Sequence, residues 1–250
     1  MKKYYKSLIF TVAAFLVLIH AGVSSASQIV SYWKFDETSG IIADDSVGTN
    51  NGSLINGPIW TAGKVGGALS FDGVNDYVTA GVDGIVFGSG RANTLMAWIK
   101  SDKLSSIVFK PGTLEIDVTS AGIHVNEYRS STNWRGITAT TYVNDGKWHH
   151  LAFVHQTNNV WDIYADGINV KSGPTGTTSV IGDTFYIGGH GGYLPFSFRG
   201  SIDEVAVYNG ALSADEIRNI YLTSVPEPAT MLLLGLGLIG VLGLRRKPKE

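Results

Sequence analysis

Between the two apolar ends of this 250-residue chain, runs that alternate apolar and polar residues dominate, punctuated by Gly, Asn and Asp. The runs are "QIVSYWKFD", "NDYVTAG", "NTLMAWIKS", "GTLEIDVTS", "AGIHVNEY", "WHHLAFVHQ", "VWDIYADGINV", "DTFYIGG" and "GSIDEVAVYN". A period of two describes a strand with one face buried, so these runs predict antiparallel strands joined by short turns. Asp166-Gly167 in "YADGI" predicts a tight hairpin, because a type I′ turn needs positive φ at both central residues. One helix is expected: Ser213-Ala214-Asp215-Glu216 is a capping box ahead of "IRNIY", with Ser213 as N-cap. Many strands and one late helix make an all-β sandwich of two antiparallel sheets.

The ends carry a different signal. Lys2, Lys3 and Lys6 precede an apolar stretch from Leu8 to Ile19, and Ser24-Ser25-Ala26 follows with small residues. This three-part pattern predicts a secretory signal peptide over 1–26, cleaved after Ala26. At the other end, Ala229 to Leu244 is uncharged and rich in Leu and Gly, followed by Arg245, Arg246 and Lys247. Some sixteen helical residues reach about 24 Å, slightly short of a hydrocarbon core. Flanking Arg and Lys make up the difference by snorkelling and would stay on the cytoplasmic side. A transmembrane helix over 229–244 with a basic tail over 245–250 is the expectation.

Val225-Pro226-Glu227-Pro228, the apolar helix and the basic cluster together resemble the PEP-CTERM sorting signal of Gram-negative bacteria. That resemblance implies recognition of Pro226, Glu227 and Pro228 by an exosortase, transient anchoring in the inner membrane, removal of the helix, and delivery to the cell surface or exopolysaccharide. The alternative is an ordinary lasting anchor whose prolines only break the chain before the helix.

What remains, 27–224, is the size of one β domain. Setting aside seven basic and two acidic residues at the ends leaves 12 basic against 19 acidic, a net charge of −7. Such a domain repels phosphate backbones, which argues against nucleic acid and for cations or neutral sugars. With no cysteine, disulfides, thiolate metal sites and cysteine nucleophiles are excluded.

"YWKFDETSG", "DDSVGTNNGSL", "GALSFDGVNDYV", "LMAWIKSD", "DGKWHHLAFVH", "IYADGINV", "FYIGG" and "GSIDEVAVYNGALSADEI" occur in the order found in laminin-G-like, concanavalin A-like jelly-roll domains. The resemblance runs from Tyr32 to Tyr221 and implies that fold, whose members include lectins, adhesion modules and glycoside hydrolases.

Within this frame the candidate chemistry divides three ways. Glu115 and Asp117 in "LEIDVTS" share a strand face, as in the Glu-x-Asp-x-Glu site of β-glucanases on this fold, but Thr119 and Ser120 stand where the second catalytic carboxyl belongs. His149 and His150 alternate, so one points inward as a hydrogen-bonded core histidine. The family resemblance implies a structural calcium joining the first strand to the last through Asp36 and Asp203, with further oxygens from Asp45 and Asn51. The competing reading of the same loop is Asx-turn chemistry without an ion. For carbohydrate, Trp134 with Asn133 and Arg135 in "NEYRSSTNWRG", and Tyr193 with His190 in a glycine-rich loop, are the expected aromatic and polar contacts. Trp33, Trp98 and Trp148 are expected in the core. The expected protein is an exported, non-enzymatic module that binds surface polysaccharide or mediates adhesion. A β-glucan hydrolase and a ligand-free matrix protein are the alternatives.

Overall fold

In the computed structural model the described residues are 27–81, 90–110, 114–130, 133–174, 184–189 and 197–224, without the side chains of 105, 106, 108–110, 127–130, 133 and 134. The segment 1–26, where a signal peptide is expected, the tail 225–250 with its expected transmembrane helix, and His190 and Tyr193 lie outside them. In chain order the strands are β1 (Ile29–Trp33), β2 (Ile42–Ala43), β3 (Gly52–Ile55), β4 (Ile59–Ala62), β5 (Gly67–Asp72), β6 (Tyr77–Gly81), β7 (Asn93–Lys100) and β8 (Ser105–Lys110). They continue as β9 (Leu114–Thr119), β10 (Gly122–Ser130), β11 (Asn133–Ala139), β12 (Trp148–His155), β13 (Val160–Ala165), β14 (Ile168–Pro174), β15 (Thr184–Ile187) and β16 (Arg199–Tyr208), ahead of helix α1 (Ala214–Thr223).

They form two antiparallel sheets. The first has the order β14-β13-β12-β7-β16-β5-β4, with β1 also paired to β16, and the second the order β11-β10-β9-β8-β15-β6-β3-β2. The all-β sandwich expected from the alternation, consistent with the jelly roll that the resemblance implies, is therefore present, with its one C-terminal helix. Between the sheets lies the main core, which includes Leu95, Ala97, Ile99, Leu151, Phe153, Trp161 and Ile163 from one side and Ile116, Val118, Ile123, Val125, Phe185 and Ile187 from the other. Trp33 stacks on Phe185 at 5.7 Å and so ties the first strand to the opposite sheet.

Local signals explain the joints. Asp166 and Gly167 both have positive φ (51° and 76°), as the predicted hairpin turn demands. Ser213 Oγ accepts from the Glu216 N–H, and Glu216 Oε2 accepts from the Ser213 N–H, which closes the capping box. The helix lies on the outer face of the first sheet, where Ile217 packs with Met96, Ala152, Val154, Tyr164, Ala206 and Leu212.

Two expectations need correction. Trp148, expected in the core, is only half-buried, whereas Trp98 is buried as expected, its register with His150 and Asp203 placing it on this outer face. The buried histidine is His150, whose Nδ1 has no hydrogen-bond partner among the described residues. The hydrogen-bonded histidine is His149, bridging Asp166 Oδ2 at 2.8 Å and Asp145 Oδ1 at 3.0 Å.

Candidate functional site

The four expected calcium ligands fall into two separate settings. Asp45 is a hub for backbone donors. Its Oδ1 accepts from the N–H groups of Tyr32, Val47 and Gly48 and its Oδ2 from that of Asn50. These bonds outweigh the cost of burial and hold its carboxyl below the usual range. Asn51 Oδ1 accepts from the Asp45 N–H, so both side chains of this loop are engaged in the turn chemistry that competed with the ion reading.

Asp36 and Asp203 instead converge on one glycine loop, 63–67. Asp36 Oδ1 accepts from the Gly67 N–H at 2.7 Å, and Asp203 Oδ2 accepts from the N–H groups of Lys64 and Val65 at 2.8 and 3.0 Å. The glycines permit the approach: a Cβ on Gly66 would stand 2.1 Å from Asp36 Oδ1, and one on Gly63 2.6 Å from Asp203 Oδ2. Asp203 is fully buried and its Oδ1 has no partner among the described residues. Burial, reinforced by neighbouring Glu204, pushes its carboxyl up to about 7. Glu204 sits at the register shift of β16 with φ of 52°, and the bulge turns its carboxylate to accept from the Tyr32 hydroxyl. The buried, half-satisfied carboxylate of Asp203 with Asp36 across the loop has the oxygen chemistry of a calcium site. Among the described residues no cluster of three or more Asp, Glu or His side chains is placed to hold a metal, so further ligands would have to be backbone oxygens or water.

Asp36 also opens onto a cleft of about 450 Å³, lined by Glu37, Thr38, Trp60, Thr61, Gly66 and Gly67. Trp60 is partly buried on edge strand β4, and its indole N–H donates to the Gly40 carbonyl at 3.0 Å. Glu37 Oε1 accepts from the Asp44 N–H, while its buried Oε2 has no partner among the described residues. An aromatic ring, carboxylates and hydroxyls thus border one sugar-sized space. Sequence reasoning missed Trp60 because "GPIW" carries too little alternation to stand out; an isolated Trp on a short edge run was the available signal.

The Glu115 cluster lies on the outer face of the second sheet. Register sets Asn126 opposite Glu115 and His124 opposite Asp117. Gly136 leaves room for both β10 side chains, since a Cβ there would come within 2.4 Å of Asn126 Oδ1 and 2.7 Å of His124 Nε2. Burial and then the Asp117 charge raise the Glu115 carboxyl to about 7, against a hydrogen bond from Asn126. The Thr119 hydroxyl donates to the Gly122 carbonyl and is spent in the turn.

Trp134 was expected on a loop. It stands instead in β11, opposite Tyr128, with Arg135 opposite Glu127 and Asn133 opposite Ser130. Arg135 is exposed.

Comparisons with known proteins agree with this architecture. The chain matches the concanavalin A-like lectin/glucanases superfamily over residues 72–218 and the PEP-CTERM protein-sorting motif over 224–247. It is 30% identical over 177 residues to the sushi, von Willebrand factor type A, EGF and pentraxin domain-containing protein 1 of Rattus norvegicus, covering 61% of this chain but only 5% of that protein. Among solved structures it is similar to domain 4 of AbnA, a GH43 extracellular arabinanase from Geobacillus stearothermophilus, solved in complex with arabinotriose. The TM-score there is 0.63 at 20% identity, covering 78% of this chain and 98% of that one. The binding domain of Paraclostridial Mosquitocidal Protein 1 follows at TM-score 0.61 and 12% identity, with 77% and 51% covered. The sorting motif marks an exported protein of the Gram-negative cell envelope and implies processing by an exosortase. With more than half of its length matched, the chain belongs to the concanavalin A-like lectin/glucanases superfamily.

Proposed function

We propose that this domain is a non-catalytic, surface-delivered module that binds neutral polysaccharide in the cleft beside Trp60. The carrying observation is the cleft itself, where an indole ring stands with Asp36, Glu37, Thr38 and Thr61 around about 450 Å³. Apolar sugar faces stack on indole, and carboxylate and hydroxyl groups take the hydroxyl edges. The complex of the similar arabinanase domain with arabinotriose supports a short neutral oligosaccharide as ligand class. Asp36 and Asp203 hold a calcium ion behind the cleft, which orders the 63–67 loop. Exosortase processing at Pro226-Glu227-Pro228 frees the domain into the surface matrix.

The test is calorimetric titration of the purified full chain with arabinan and β-glucan oligosaccharides, with and without a calcium chelator. Trp60→Ala is expected to weaken binding at least tenfold in a variant that still folds, with a lowered melting temperature because the same ring packs against the main core. Equal affinity in that variant, or silence across the panel, would sink the cleft as the site. Calcium is expected to raise the melting temperature of the parent and of Asp45→Asn, and to do nothing for Asp203→Asn.

One observation favours a second reading. A carboxyl raised to about 7 beside Asp117 is suited to general-acid work, so the same panel should be assayed for cleavage. Turnover lost in Glu115→Gln would make the protein a hydrolase.

A further inference from the structure

The outer face of the first sheet holds a second polar locus, independent of the cleft. Under the last turn of α1 is a pocket of about 120 Å³, whose lining includes Tyr32, Trp98, His150, Glu204, Ile220 and Ser224. Register makes Trp98 and His150 cross-strand neighbours, with rings 5.3 Å apart. Tyr221 stacks on Trp98 from the helix side at 5.7 Å. Both residues are 2% exposed, and Trp98 Nε1 and His150 Nδ1 have no hydrogen-bond partner among the described residues. A buried donor or acceptor left unpaired carries its full desolvation cost. Two such atoms, carried by cross-strand neighbours that both line the pocket, point to a place built to receive a polar group.

The lining restricts what that group is. Glu204, engaged with the Tyr32 hydroxyl, puts negative charge on the wall and repels an anion. The Trp98 indole N–H needs an acceptor, and the Lys64 ammonium already lies 4.8 Å from its ring centre, so a cation is equally mismatched. A hydroxyl accepts from Trp98 and either donates to or accepts from His150 according to tautomer. Ile29, Met96, Ala206 and Ile220 offer the apolar contact that carbon–hydrogen faces require. The volume equals about four waters at ~30 Å³ each, the room of a three- or four-carbon polyol rather than a glycan chain.

We propose that this pocket is a binding site for a small neutral polyol, gripped between sheet and helix by Trp98 and His150. Because Ile220 and Ser224 form its roof, the ligand pins α1 to the sheet immediately ahead of the sorting motif at 224–247.

The experiment is nitrogen-15 NMR of the tryptophan-labelled full chain in detergent, titrated with glycerol and with erythritol. The Trp98 indole N–H resonance, assigned by its loss in Trp98→Phe, is expected to move saturably. The other indole resonances should stay within the drift produced by bulk co-solvent. Ala206→Leu fills the pocket from the sheet and Ile220→Phe from the helix, and either folded variant should abolish the shift. No saturable shift with either polyol overturns the proposal, as does a shift retained in a filled variant. Resident-water contacts to Trp98 that both polyols leave intact would show a hydration cavity only, and that also overturns it.

Discussion

The two outer faces of this sandwich grow from the same alternating pattern and end in opposite states. On the first sheet, β7 is buried along almost its whole length and β12 along most of it, because α1 covers Met96, Ala152, Val154 and Ala206. On the second, β9 and β10 keep a polar row of Glu115, Asp117, His124 and Asn126 over the apolar row that faces the core. The comparison teaches that a ten-residue helix converts half a sheet from a two-state surface into a second core. Where the described residues provide no such cover, polar side chains take the face and must satisfy one another.

Placing the same residue on both faces tests this most severely. Val154→Asn puts an amide into the helix-covered face and should cost about 4 kcal/mol through lost burial and an unpaired polar group. Thr138→Asn, beside His124 on the open face, should stay within about 0.5 kcal/mol. Similar denaturation midpoints for the two would dissolve the distinction. Ile217→Ala, which removes the one fully buried side chain of α1, should cost about 3 kcal/mol, and an exposed control, Leu222→Ala, next to nothing. Ser213→Ala opens the capping box and should cost about 1 kcal/mol, again readable by urea denaturation.

A further effect belongs to the polar face and depends on pH. The folded-state pKa of Glu115, about 7, lies above its ordinary 4.5, so the folded chain holds this proton more tightly than the unfolded one. Its contribution is complete below about pH 4.5 and is lost as pH rises through 7. Glu115→Gln should therefore gain stability relative to the parent across that window. A difference that stays constant from pH 4.5 to 8 would show that Glu115 does not titrate this way.

The strands with strict alternation, the Asp166-Gly167 hairpin and the capping box were legible because each is decided within a few residues. Strands β2, β3 and β4 were not, since two to four residues carry no period, and β8 and β11 were hidden in polar, serine-rich sequence. The site divides likewise. Asp36 and Asp203 are brought together by a glycine loop distant from both in sequence, and here the family resemblance pointed where periodicity could not. The Trp60 cleft and the unpaired atoms of Trp98 and His150 arise only when strands become neighbours. Alternation says that a side chain is hidden, not which face hides it.

The pairing of β1 with β16 has a mechanical consequence. Ile29 lies opposite Tyr208, the Ser27 hydroxyl donates to the Ala211 carbonyl, and Ile29 and Ser224 meet in one pocket. The chain thus enters and leaves the domain at a single pole. A pull between those two points would peel this antiparallel pair one bond at a time instead of shearing its bonds together. Such a domain resists little tension along its own chain. It is suited to hang from one attachment and poorly suited to serve as a link in a loaded strand.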